Sequence, residues 1–344
     1  MSTWWVGTRK GLFRIDGDAI GAPAFVGVRV PMVLAVGDTV YAGLEHGHFG
    51  PKLHRSDDRG ATWTELPAPK LPDGTDASVS TIWSLEAGPD GALWCGTIPG
   101  GLFRSVDRGA SWTLIRSLWD RPERARWFGG GFDQPGIHSV CAHPTDPGDL
   151  VVGVSIGGVW RTRDGGGSFT LEGDGLAARY MPPERKGDRT AQDPHRIVAA
   201  PSNPDVLWCQ HHSGAFRSTD RGDSWTELEV PPSSFGFAVA VHPQDPDTAW
   251  FVPADSDASR IAVGARVVVA RTSDGGRSFD VVTDGLPQHH AYDLVYRHAL
   301  DVDATGDALA FGSTTGGLWA SGDGGRRWQT VSTHLPPIYV VRAG

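Results

Sequence analysis

The chain has 344 residues, including 46 Gly, 25 Pro and 14 Trp, and a formal net charge of −9. That charge and the lack of any Lys/Arg-rich run argue against nucleic acid as a partner, and no apolar run is long enough to span a membrane. Turn-forming and aromatic residues without sustained helical periodicity describe short strands joined by tight turns.

In chain order, the segment Trp5–Arg14 reads as two strands that have no inner strand of their own. Repeating units of four strands follow, each with an inner strand, a second strand, a third strand ending at a turn, and a fourth. They are expected at 33–66, 81–115, 137–172, 194–228, 236–282 and 289–331. Blade five carries an insertion, Pro253 to Ala265, before its third strand. The terminal run Ile338–Arg342 is an inner strand with nothing after it, so residues 337–344 and 1–30 together complete a seventh unit. A period of about fifty residues is that of propeller blades. The expectation is an all-β, seven-bladed β-propeller, one domain over residues 1–344, closed by pairing the terminal strands so that no sheet edge is left exposed.

The turns carry a recurring box, Ser/Thr-x-Asp-x-Gly-x-Ser/Thr-aromatic. Its copies are Ser56-Asp58-Gly60-Thr62-Trp63, Ser105-Asp107-Gly109-Ser111-Trp112, Thr162-Asp164-Gly166-Ser168-Phe169, Ser218-Asp220-Gly222-Ser224-Trp225, Thr272-Asp274-Gly276-Ser278-Phe279 and Ser321-Asp323-Gly325-Trp328. The sixth has Arg327 where the small hydroxyl stands elsewhere. The pattern resembles the Asp-box (BNR) repeat of sialidases, sortilin-type receptors, xyloglucanases and photosystem assembly factors, and covers nearly the whole chain. The resemblance implies a hairpin turn between the third and fourth strands of each blade. It leaves function open, because these families include hydrolases, receptors and assembly factors. The box chemistry suits a structural turn: Asp and hydroxyls bond local N–H groups, and Gly supplies a positive φ.

Phe13-Arg14-Ile15-Asp16 imitates the sialidase (Phe/Tyr)-Arg-Ile-Pro signature. In phase with Leu102-Phe103-Arg104, however, Arg14 falls on a third strand near the rim, so the sialidase arginine is missing.

In a propeller the starts of inner strands and the second-to-third-strand loops meet on one face around the axis. The repeat phase puts an unusual set there. Glu45, His138, Arg196, Tyr292 and Asp293 are candidates for catalysis. Arg9, Trp83, Trp127, Phe128, Arg179, Tyr180 and Tyr339 are candidates for substrate binding. His46, His48, His195, His211, His212 and His290 are candidate metal ligands. His298 reads as part of a turn on the opposite face. Two long connections, 119–135 and 178–194, should stand beside this face, and long loops in compact domains are commonly binding elements.

Two chemistries fit the histidines. They are a divalent transition metal, with Zn, Fe, Mn and Cu not distinguished, or a metal-free polar pocket in which His serves as acid or base and Arg196 holds an anion. No nucleotide fingerprint appears. The functional expectation is a soluble hydrolase or lyase acting on a small polar molecule or saccharide. The alternative is a non-catalytic propeller whose loop-rich face binds a ligand or a protein partner. Cys95, Cys141 and Cys209 lack disulfide spacing, and the N-terminus reads directly into a strand; both suggest a cytoplasmic protein.

Overall fold

The computed structural model describes residues 2–75, 77–130 and 132–344. It is a seven-bladed β-propeller, each blade a four-stranded antiparallel sheet. Among the described residues no helix is long and apolar enough to cross a membrane. The inner strands of blades one to six are Arg29–Val36, Thr81–Ala87, Ile137–Ala142, Pro194–Ala200, Gly236–Val241 and Leu300–Val302. Ile338–Ala343 supplies the seventh, pairing antiparallel with Thr3–Thr8. Gly11–Asp16 is the third strand of that blade, and Arg14 at its rim pairs with Asp16 at 3.0 Å.

Period-2 alternation in each strand sends apolar residues into the layers between blades. Trp160, Trp208, Trp250 and Trp328 are all essentially fully buried there. Cys95, Cys141 and Cys209 lie buried in the same layers as free thiols. The turns are held by local hydrogen bonds. In the first, the Ser56 hydroxyl donates to Asp58 Oδ1 (2.7 Å) and accepts the Gly60 N–H (2.7 Å). Asp58 also accepts the Thr62 N–H (2.8 Å) and hydroxyl (2.6 Å). Gly60 needs its positive φ of 85°, and a Cβ there would come within 2.5 Å of the Trp5 ring. The sixth turn keeps the bond from the Arg327 N–H to Asp323 (3.0 Å), but Arg327 has no hydroxyl to supply the second.

One irregularity positions the site. In six blades the inner strand carries a β-bulge near its start, visible as a register skip over Val30–Pro31, Trp83, His138, His195, Phe237–Ala238 or Tyr339. A bulge re-aims a side chain out of the strand's alternation. Here it brings Pro31, Trp83, Phe237 and Tyr339 to the wall of one cavity at the channel mouth.

The sixth blade corrects the sequence phasing. Its inner strand is Leu300–Val302, so His289 to Asp293 precede it by a whole segment. His298 is buried at the axis, with Nε2 2.8 Å from the carbonyl of His138, and the following turn is made by Asp303–Ala308. The Tyr-Arg-His run before Leu300 lacks the Gly or Pro that stands before several other inner strands, such as Gly27, Gly136 and Pro337, which hid the phase.

Candidate functional site

The mouth cavity has a volume of about 300 Å³ and is lined by Arg29, Trp83, Phe132, Phe237, Arg260, Tyr296, Arg297, His298 and Tyr339, among others. Five of these nine are aromatic, and none carries a carboxylate. The three arginines differ in their partners. Arg29 is paired with Glu45 at 2.7 Å and lies over the Tyr339 ring at 4.4 Å. Arg260, from the blade-five insertion, is paired with Asp257 at 2.5 Å.

Among the described residues Arg297 has no such partner. Its side chain is buried between Trp83 and Phe237, with the guanidinium carbon 4.9 and 5.2 Å from their ring centroids. Its Nε has no hydrogen-bond partner among the described residues. Burial pushes its pKa down to about 10, opposed by the negative charge of Asp193, so it remains a cation at neutral pH. A buried cation without a bonded counter-charge is costly, and the aromatic faces offset only part of that cost. Beside it, His298 is held well below the ordinary histidine range by burial and by Arg196 and Arg342. The neutral ring must donate Nε2–H to the His138 carbonyl, which leaves the lone pair on Nδ1.

A second group adjoins the cavity behind Phe237 and Gly130. The ligand atoms of Asp193, His195 and His212 all lie within 4.8 Å of one another. His195 stacks on Phe237 with centroids 4.3 Å apart, and its Nδ1 is 2.7 Å from the Gly236 carbonyl. A Cβ on Gly130 would stand 3.0 Å from Asp193 Oδ2.

The residues expected from sequence scatter more widely than the repeat phase implied. Trp83 and Tyr339 line the cavity. His138 is fully buried on its bulge, with Nδ1 2.8 Å from Ser139 Oγ and, among the described residues, no partner for Nε2. Arg196, one residue beyond the next bulge, faces the other way. It lines a cavity of about 490 Å³ at the opposite end of the channel, with Glu86, Asp301 and Arg342. Glu45 sits at the edge, tied to Arg29 and to the Thr81 hydroxyl at 2.8 Å.

His211 is buried with its ring nitrogens 3.0 Å from the backbone N–H groups of Asp193 and Ser213, so it braces the loop instead of facing the ligand cluster. His46 and His48 stand on or beside the short turn Gly47–Phe49, and His290 is exposed; none belongs to the Asp193 group. Asp293 accepts the hydroxyls of Ser313 (2.7 Å) and Thr315, which fixes a blade-six loop, and Tyr292 is exposed. Arg9 is exposed at a hairpin tip.

In the long loops, Trp127 is buried against Trp160 at 5.8 Å as a core residue, and Phe128 is exposed. Arg179 pairs with Glu227 at 2.5 Å, and Tyr180 bonds the Ala191 carbonyl and packs edge-on to His212. Arg126 of the first loop pairs with Asp188 of the second at 2.5 Å, so the two are tied together. Sequence reasoning did not single out Arg29, Phe132, Asp193, Phe237, Arg260, Tyr296, Arg297 or His298 as site residues. Asp193 immediately precedes a Pro-His inner-strand start, and Phe237 occupies the bulge position; both signals were available from the repeat.

No family model matches the chain. Over an alignment of 232 positions that covers 59% of its length, it is 26% identical to a probable oligoxyloglucan-reducing end-specific xyloglucanase of Neosartorya fischeri, and it spans 27% of that relative. Among solved structures it is similar to the GH74 xyloglucanase from Xanthomonas campestris, with 20% identity, a TM-score of 0.68, and 96% of this chain aligned to 52% of that one. It is also similar to YCF48 bound to D1 peptide, with 16% identity, a TM-score of 0.58, and 93% of this chain aligned to 89% of that one. At these identities the shared property is the seven-bladed propeller. Two of these proteins are named as xyloglucanases, and the third holds a peptide.

Proposed function

We propose that the protein binds a small carboxylate-bearing molecule of sugar size at the channel mouth, an acidic monosaccharide unit being the best fit. The observation that carries this reading is Arg297, a buried guanidinium without an ion-pair partner among the described residues, beside a cavity of about 300 Å³. A carboxylate placed there supplies the missing charge and accepts two parallel N–H bonds. The aromatic walls suit the apolar faces of a sugar ring, and the xyloglucanase relatives make saccharide the natural class to test. A two-carboxylate glycosidase mechanism has no support at this cavity, because among the described residues no Asp or Glu lines it.

Calorimetric titration with glucuronate, glucose and benzoate tests the reading. A charge-assisted contact worth about 1.5–3 kcal/mol favours glucuronate over glucose by roughly ten- to hundred-fold. Equal affinity for glucose and glucuronate, or binding of neither, contradicts the proposal; benzoate measures how much of the affinity needs only the carboxylate.

His298 favours a chemical extension of the same site. An unprotonated imidazole next to an arginine-neutralised carboxylate is the pairing that removes a proton from the adjacent carbon, the first step of a lyase. Incubation with oligogalacturonate and detection of an unsaturated product tests it. An unchanged ultraviolet spectrum restricts the site to binding.

A further inference from the structure

We infer that Asp193, His195 and His212 form a binding site for one divalent transition-metal ion, separate from the Arg297 contact. Three features of the geometry carry this.

The first is spacing. His195 Nε2 lies 3.6 Å and His212 Nδ1 3.5 Å from the same oxygen, Asp193 Oδ2. A charge-assisted hydrogen bond between imidazolium and carboxylate would be about 2.7–2.9 Å long. Both contacts are too long for that. A tetrahedral ion with bonds of about 2.0–2.2 Å separates neighbouring ligand atoms by about 3.4 Å, close to these two contacts.

The second is tautomer. His195 Nδ1 is 2.7 Å from the Gly236 carbonyl, an acceptor only, so that nitrogen carries the proton and donates it. In the neutral ring Nε2 then has the lone pair, and it is Nε2 that faces Asp193. This carbonyl–imidazole arrangement orients histidine ligands in metal sites.

The third is the buried acid itself. Asp193 is 1% exposed, and the one backbone contact to its carboxylate is a long one, from Ile156 N–H at 3.4 Å. Its main chain is better anchored: its N–H meets His211 Nε2 at 3.0 Å, and its carbonyl accepts the His212 N–H at 2.9 Å. A carboxylate is thus held rigidly next to two imidazoles without a strong donor of its own. Ser155 Oγ, also buried and without a hydrogen-bond partner among the described residues, lies beside Gly130, 3.0 Å from where its Cβ would stand.

Two imidazole nitrogens and one carboxylate oxygen form a borderline donor set, which selects Zn²⁺, Co²⁺ or Fe²⁺ over Ca²⁺ and Mg²⁺, and three protein ligands leave a position for water. Tyr180 and Phe235 pack edge-on against His212 and shield the group.

The test is titration of untagged, chelator-treated full-length protein with Co²⁺, followed by visible absorption, and with Zn²⁺, followed by calorimetry. The expected result is one equivalent of either ion, a ligand-field band for Co²⁺, and no heat with Ca²⁺. His212→Ala, at a half-buried position that leaves the core intact, should weaken binding at least ten-fold, as should His195→Gln; His48→Ala should leave it unchanged. Thermal melts of each variant without metal identify misfolding, and His212→Ala serves as the deciding variant if His195→Gln unfolds. Absence of a Co²⁺ band and of Zn²⁺ heat overturns the inference. So does stoichiometric binding that survives in a folded His212→Ala protein. Glucuronate titration of the metal-free protein reports on the Arg297 reading alone, so failure of one proposal is distinguishable from failure of the other.

Discussion

Arg297 of blade six and Trp83 of blade two meet at the channel mouth, the guanidinium carbon of one lying 4.9 Å from the ring centroid of the other. The contact exists because a bulge turns Trp83 out of its strand and because Arg297, in the segment before Leu300, lines the same cavity. An aromatic face attracts the cation without neutralising it, which keeps the guanidinium in place and available. Trp83→Leu should therefore weaken glucuronate binding by roughly three- to thirty-fold, for a contact of about 0.5–2 kcal/mol. The preference over glucose should persist, since Arg297 remains; calorimetry on both sugars checks it.

At the other end of the channel, Arg342 of the closing strand reaches Glu86 of blade two at 3.0 Å. Asp301 lies near enough to add to the charge that raises the Arg342 pKa against the effect of burial. Arg342→Met leaves Glu86 and Asp301 facing one another without this cation and should cost about 1.5–3 kcal/mol. Adding Glu86→Gln should recover part of that loss, as measured by chemical denaturation of both variants.

The rim turns make stability sensitive to acid. Hydrogen bonds from Thr62, Ser111 and Ser168 hold Asp58, Asp107 and Asp164 at a pKa of about 2. An unfolded Asp titrates near 3.9. Because the folded values are the lower ones, the contribution is complete above about pH 5 and is lost as pH falls from about 4 to 2. The melting temperature should drop steeply across that window, and less steeply in an Asp58→Asn/Asp107→Asn/Asp164→Asn variant.

Gly285, at φ 79°, stands where a Cβ would come 1.7 Å from the Trp328 carbonyl oxygen. Neither the backbone angle nor the clash can be relieved by a side-chain rotation. Gly285→Ala should destabilise by more than about 1 kcal/mol, whereas Gly187→Ala, with nothing within 4 Å, should be near neutral. Thermal melts of the two variants decide it.

The fold was legible because its signals are local. Each Ser/Thr-Asp-Gly turn satisfies its own hydrogen bonds within seven residues, so six copies set the period, and the terminal strands had to close the ring. The mouth was less legible because its geometry depends on pairing between strands. Trp83 and Tyr339 could be named from the phase, but the outward turn of Phe237 comes from a bulge that exists only against Ala249–Pro253. In blade six the inner strand begins at Leu300 and not at His289, so the repeat phase pointed to His290 and Asp293 instead of Arg297 and His298. Asp193 was passed over as loop because its partners, His195 and His212, come together only when the blade-four hairpin folds back over it.

The role of Arg297 as anion anchor is tested most directly by the ratio of glucuronate to glucose affinity in Arg297→Gln. Loss of the preference for the charged sugar, with the fold and the glucose affinity unchanged, is the predicted result. A folded Arg297→Gln protein that still prefers glucuronate as strongly as the parent would contradict it.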